Sequence, residues 1–89
     1  MSPRRDRHAA ALLRQLRVDR GLTPEGLSYA IHKVAPGHPV SGRTIRRIES
    51  TGHVPTVRAM FGIAAVFGMV PSQIWATAAA PAPRQRVAA

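Results

Sequence analysis

Apolar residues recur at intervals of three and four along most of this chain. Three stripes show this spacing, within Leu12 to Leu16, Leu27 to Val34 and Met60 to Phe67. Such spacing places the apolar side chains on one side of a helix. No segment alternates convincingly between apolar and polar positions, as a half-buried strand would. The pattern therefore predicts an all-α fold.

Residues that favour helix ends divide this pattern into five helices. Side chains at N-cap positions can accept a hydrogen bond from the first turn, and glycines commonly follow the last turn. The N-caps are Thr23, Ser41 and Thr56, and the terminating glycines are Gly21, Gly52 and Gly68. The predicted helices span residues 8–20, 24–34, 42–51, 56–67 and 71–79. We expect them to form a compact five-helix bundle.

Both ends of the chain combine proline, alanine and arginine with nothing bulky to bury. Such segments do not fold alone. Residues 1–7 are therefore predicted to be a flexible basic arm and residues 80–89 a flexible tail, on either side of one domain, residues 8–79. Arginines in these segments would add affinity for a polyanion that does not depend on sequence. They are Arg4, Arg5 and Arg7 before the domain, and Arg84 and Arg86 after it.

The charge of the chain indicates a polyanionic partner. Its formal net charge is +9, from 13 lysine and arginine residues against 4 acidic ones. Nucleic acid is the first candidate and an anionic membrane surface the second. The longest apolar run, "AMFGIAAVFGMV", is too short to span a bilayer, and no signal-like segment precedes it. A cytoplasmic protein without cysteine chemistry is expected.

The third predicted helix has one apolar side and one basic side. Ile45 and Ile48 would face the core, while Arg43 and Arg47 project together on the opposite side. Residues four apart lie about 6 Å apart along a helix axis. Guanidinium groups at this spacing can reach guanine edges in the major groove of DNA. A solvated surface without a ligand is the alternative interpretation.

Catalysis and metal binding find little support in the sequence. The four acidic residues suggest no dyad, and no serine has a supporting arrangement of histidine and aspartate. His32, His38 and His53 lack the i, i+4 pairing and the cysteine or carboxylate companions of a metal site. Neither an enzyme, nor a cofactor, nor a small-molecule ligand is expected. Trp75 is expected in the core, or on a dimer surface.

Three segments, taken in order, resemble one family. They are "LRQLRVDRGLTPEGLS", "VSGRTIRRIE" and "PTVRAMFGIAAVFGMVPSQI". They are similar to the first helix and turn, the recognition helix and the fourth and fifth helices of the Xre or Cro/lambda-repressor type of helix-turn-helix domain. The resemblance covers Leu13 to Ile74 and implies a bundle of lambda-repressor type.

The resemblance also implies roles for individual residues. Base contacts are implied for Ser41, Gly42, Arg43 and Arg47. Backbone contacts are expected from Thr23, Thr44, Arg46, Ser50 and Arg58. Arg17 and Glu49 occupy positions that often form an ion pair between the first and third helices, although two exposed charges that never meet are the alternative.

Two departures from the family pattern affect the predicted interface. Pro24 stands where the family commonly has a glutamine that contacts the DNA backbone and braces the recognition helix. Leu27 and Val40 are also separated by many more positions than the family usually has, because "HKVAPGHP" carries an insertion. The insertion, Ala35 to Pro39, is expected to be an exposed loop beside the DNA-binding surface.

The function implied is that of a sequence-specific transcriptional regulator of double-stranded DNA, resembling a Cro-like or immunity repressor of phage or prophage type. A homodimer on a palindromic operator would suit this function. Two alternatives stay open: an antitoxin-type interaction protein, and a recombination accessory factor that bends DNA.

Overall fold

The computed structural model describes residues 5–76, and this part of the chain is helical. The four α-helices are α1 (Arg7–Asp19), α2 (Pro24–Val34), α3 (Gly42–Thr51) and α4 (Val57–Val66). A 3-10 helix, Pro71–Gln73, follows them. Within residues 5–76 the only β pairing is an isolated bridge between Arg5 and His53. The predicted all-α class is confirmed.

A side-chain cap begins each α-helix. Thr23, Ser41 and Thr56 accept hydrogen bonds from the third residue after them, as the sequence predicted. Asp6 caps α1 in the same way, with 2.8 Å between its Oδ1 and the nitrogen of Ala9. These bonds satisfy N–H groups that would otherwise lack partners in the first turns. Helix α3 carries the basic side, and the residue at which it begins is therefore set by contacts within its own first turn.

The fifth predicted helix is a single 3-10 turn. The chain bends after Pro71, and the nitrogen of Trp75 donates to the carbonyl oxygen of Pro71 at 2.8 Å. This bend places Ile74 and Trp75 in the core, where they are 2 % and 0 % exposed. Here the chain buries these two adjacent apolar residues and does not continue as an α-helix. Residues 77–79 lie outside the described residues.

Residues 5–7, the end of the predicted arm, are joined to the helical domain. Arg7 is the first residue of α1, and Asp6 is its cap. The nitrogen of Asp6 donates to the carbonyl oxygen of Gly52 at 2.7 Å, which ties this segment to the end of α3. Gly52 ends α3 with a φ of 78°, a conformation that favours glycine. Arg4 and the C-terminal tail lie outside the described residues.

The core joins the inner sides of the four helices to Ile74 and Trp75. Its fully buried large side chains are Leu13, Leu27, Ile31, Ile45, Ile48, Ile63 and Trp75. Two residues of the predicted apolar stripes lie outside it, because Val34 at the end of α2 and Phe61 on α4 are half exposed. Trp75 was expected either in the core or on a dimer surface, and the structure places it in the core.

The insertion between α2 and α3 is exposed at Pro36, Gly37 and Pro39 but is packed at His38. A methyl group at Gly62 of α4 would come within 2.3 Å of the carbonyl oxygen of His38. The loop can approach α4 this closely only because residue 62 is glycine. The insertion therefore follows the surface of α4 before it enters α3.

Candidate nucleic-acid interface

Helix α3 has a buried side and a basic side, as its sequence pattern predicted. Ile45 and Ile48 are 0 % exposed. Arg43, Arg46 and Arg47 are exposed on the part of the helix away from this core. We call these three arginines the α3 basic face. Because the isoleucines are fixed in the core, the helix holds the basic face toward solvent in one orientation.

A paired contact ties α3 to α1. Arg17 Nε donates to Glu49 Oε2 at 2.7 Å, and Arg17 Nη2 donates to Glu49 Oε1 at 2.8 Å. Arg17 also donates to the carbonyl oxygen of Leu22 at 2.7 Å. The hydrogen bond to Glu49 raises the pKa of Arg17, against the opposing effect of burial. The structure thus brings together the two residues that the resemblance pairs, and their side chains are only 11 % and 8 % exposed.

A second ion pair lies on the surface of α3, and sequence reasoning did not find it. Arg46 donates to Glu25 of α2, and both side chains are more than half exposed. Glu25 also lies over the first turn of α3, since a methyl group at Gly42 would be 3.1 Å from its Oε2. Two of the residues implied as DNA contacts, Gly42 and Arg46, therefore have a carboxylate beside them.

Within residues 5–76, the carboxylate of each aspartate and glutamate accepts a hydrogen bond. Glu49 accepts from Arg17, and Glu25 accepts from Arg46. Asp19 accepts from Gln15 at 2.7 Å, and Asp6 caps α1. Consequently no hydrogen bond or ion pair links Arg43 or Arg47 to a carboxylate in residues 5–76. The α3 basic face has an uncompensated positive charge at these two positions.

The other residues implied as DNA contacts lie on three different elements. Ser41 caps α3 and its hydroxyl also contacts that of Thr44, at 3.1 Å between the oxygens. Thr23 caps α2, and Arg58 lies exposed in the first turn of α4. Ser50 is exposed near the end of α3. Beside it, Arg14 of α1 and Arg46 line a shared groove.

A further group of basic residues lies at the C-terminal end of α3. Arg5 Nη1 donates to the carbonyl oxygen of Thr51 at 2.7 Å, and Arg5 pairs with His53 through the isolated bridge. The nitrogen of His53 donates to Thr51 Oγ1, which itself donates to the carbonyl oxygen of Arg47. Burial lowers the pKa of His53 below its ordinary value of 6.5, and the charges of Arg47 and Arg5 lower it further. We call Arg5, Arg47 and His53 the basic cluster.

Within residues 5–76 no helix has both the length and the apolar character needed to cross a bilayer. The same residues contain no group of three or more histidines and acidic residues arranged to hold a metal ion. Comparisons with protein-family models, curated proteins and solved structures found no match to this chain.

Proposed function

We propose that this protein binds double-stranded DNA through the α3 basic face and regulates transcription by occupying an operator. One observation carries the proposal. A helix held from behind by buried isoleucines and the Arg17–Glu49 pair presents arginines to solvent, and two of these have no carboxylate partner in the described residues. A rigid helix with guanidinium groups on one side suits major-groove recognition.

The placement of residues around α3 supports a division of roles. Ser41, Gly42 and Arg43 lie at the N-terminal end of the helix, from which recognition helices commonly contact bases. Thr23, Thr44, Arg46, Ser50 and Arg58 would contact the sugar-phosphate backbone. Such contacts position a protein on the duplex without reading its sequence.

The resemblance to the Xre or Cro/lambda-repressor type supports the regulatory part of the proposal. The order of the four α-helices and the pairing of Arg17 with Glu49 agree with what that resemblance implies. A small regulator of Cro-like or immunity type, without a cofactor, follows from it. The bundle differs from the expected pattern in its 3-10 turn and in the insertion after α2.

Selection from a pool of random duplexes tests this function without knowledge of the operator. The full chain should enrich a defined sequence motif over successive rounds. A matched variant with Arg43→Ala and Arg47→Ala should enrich none, while Arg14→Ala, outside α3, should retain the same motif. Failure of the unaltered chain to retain any duplex would refute the proposal.

Recognition of a protein partner is the second candidate function, and one observation favours it. Val57 and Phe61 lie four residues apart on α4 and are 61 % and 50 % exposed. Exposed apolar residues on one side of a helix can form a protein interface. This surface would suit a second copy of the chain or the toxin of an antitoxin pair. Phe61→Ser should abolish such binding and leave the affinity of one protomer for DNA unchanged.

A further inference from the structure

Three groups that can carry positive charge converge at the basic cluster. Arg5 comes from the segment before α1, Arg47 from α3, and His53 from the turn after α3. The bonds through Thr51 and the backbone bridge hold these segments together. The convergence is therefore built by the fold and involves residues far apart in the sequence.

The charged groups around His53 are mostly cationic. Arg5, in the segment before α1, and Arg47 of α3 are close enough for their charges to act on the His53 ring. The side chain of Arg7 lies beside Gly52, where its Cγ would be 3.4 Å from an added methyl group. The nearby acidic residue is Asp6, and its carboxylate caps α1. The His53 imidazole makes no hydrogen bond within residues 5–76. A ligand that bound the ring would therefore break no hydrogen bond in this part of the protein.

Beside His53 lies a groove lined by hydroxyl groups. Its volume is about 270 Å³, and it runs between the start of α3 and the start of α4. Ser41, Thr44 and Thr56 contribute their side chains to its wall. No aspartate or glutamate lines it. These hydroxyl groups and the His53 imidazole can donate hydrogen bonds to phosphate oxygens, and His53 is the member of the basic cluster that lines the groove.

We propose that Arg5, Arg47 and His53 bind one phosphate diester of the DNA backbone, and that His53 becomes protonated as the phosphate binds. The proposal rests on the proposed function, which supplies the diester. The family resemblance implies that Arg47 contacts a base. This proposal assigns Arg47 to the DNA backbone instead. The cluster would hold the strand that passes the C-terminal end of α3.

The direction of the pH effect follows from the surroundings of His53. In the free protein, burial and two cations favour the neutral ring. A phosphate placed among these cations adds negative charge and a hydrogen-bond acceptor, both of which favour the protonated ring. DNA affinity should therefore rise as pH falls through the range between the two pKa values of His53. One coupled proton changes affinity by at most about tenfold per pH unit.

The first test measures the His53 ring by NMR in the full chain, in inorganic phosphate and in chloride at equal ionic strength. The pKa of His53 should be higher in phosphate than in chloride. Arg5→Gln should raise the pKa of His53 in chloride, because it removes one of the two cations, and should reduce the effect of phosphate. Equal pKa values of His53 in the two salts would overturn the proposal.

The second test measures binding of a selected duplex between about pH 8 and about pH 6. The unaltered chain and a His32→Gln control should bind more tightly at the lower pH, and His53→Gln should show no such gain. The salt dependence of the unaltered chain should steepen by up to about 0.9 in log–log slope at the lower pH, for one added phosphate contact. An identical pH dependence in His53→Gln would overturn the proposal. If phosphate raises the pKa of His53 but no duplex binds, the proposed function fails while the anion site stands.

Discussion

Arg43 and Arg47 look equivalent in the sequence, but their surroundings in the fold differ. Arg43 lies in the first turn of α3, near its capping residue Ser41. Arg47 lies one turn later, close enough to His53 for its charge to lower the pKa of that ring. At the residue scale, therefore, the two arginines should make separable contributions to DNA binding.

Replacing each arginine with alanine tests this separation. Arg43→Ala should cost about 1–3 kcal/mol on the selected site and relax base preference at one position, because a bidentate base contact is lost. Arg47→Ala should weaken binding to selected and random duplexes alike and reduce the salt slope by about 0.9. Competition assays against random DNA measure both effects. Equal losses on all sequences for Arg43→Ala would remove its base-reading role.

Glu25 should restrain DNA binding through its contacts with α3. Glu25→Gln removes a carboxylate from beside Gly42 and frees Arg46 for a phosphate. We expect affinity for any duplex to rise by about fivefold, equivalent to about 1 kcal/mol for an exposed ion pair. Asp19→Asn makes the same change in net charge on α1 and is the matched control. Equal gains in the two variants would mean that net charge alone is responsible.

The Arg17–Glu49 pair should contribute to stability beyond the range of exposed pairs. Its two side chains are largely buried and share two hydrogen bonds. A double-mutant cycle with Arg17→Met and Glu49→Gln, measured by urea unfolding, should give an interaction above about 1 kcal/mol. Additive effects of the two substitutions would show that the residues are not coupled.

The sequence predicts roles for single residues, but it does not predict every contact between residues that are far apart in the chain. The Arg17–Glu49 pair was expected only because a family resemblance supplied it. Glu25 and Arg46 are separated by 21 positions, and no periodicity links them. Sequence reasoning considers His53 only as a metal ligand and rejects that role. It does not place His53 beside Arg5 and Arg47, because these neighbours come from other elements. Such contacts depend on how the helices pack.

At the scale of elements, local chemistry predicted α2 and α3 to the residue and α4 to within one residue at each end. Capping by Thr23, Ser41 and Thr56 acts within a few residues, so the sequence contains the whole signal. The predicted fifth helix failed because the core requires Ile74 and Trp75. The segment before α1 was assigned to an arm because its anchor, the carbonyl oxygen of Gly52, is distant in sequence.

The contact between the insertion and α4 gives a prediction at this scale. Gly62→Ala should lower the free energy of unfolding by about 1–3 kcal/mol, because its methyl group would meet the carbonyl oxygen of His38. Gly37→Ala is the control, since nothing lies within 4 Å of the added carbon there. Thermal or urea unfolding gives both values. A neutral Gly62→Ala would mean that the loop does not pack against α4.

At the scale of the whole molecule, the charged residues and the packed apolar residues occupy different parts of the fold. The four acidic side chains are used in caps, hydrogen bonds and ion pairs, and the net charge of +9 is the excess of lysine and arginine residues over them. The α3 basic face and the basic cluster share Arg47 and hold part of this charge along α3 and just beyond its C-terminal end. In the proposed complex, this surface would contact a strand of phosphates and the groove beside it.

The most direct test of this account is an NMR titration of the full chain with the selected duplex. The largest changes in backbone amide signals should fall between residues 41 and 53 and at the start of α1. The side of α4 that carries Val57 and Phe61, and the 3-10 helix, should change little. Changes confined to that side of α4, with α3 unaffected at saturating DNA, would contradict the claim that α3 binds the duplex.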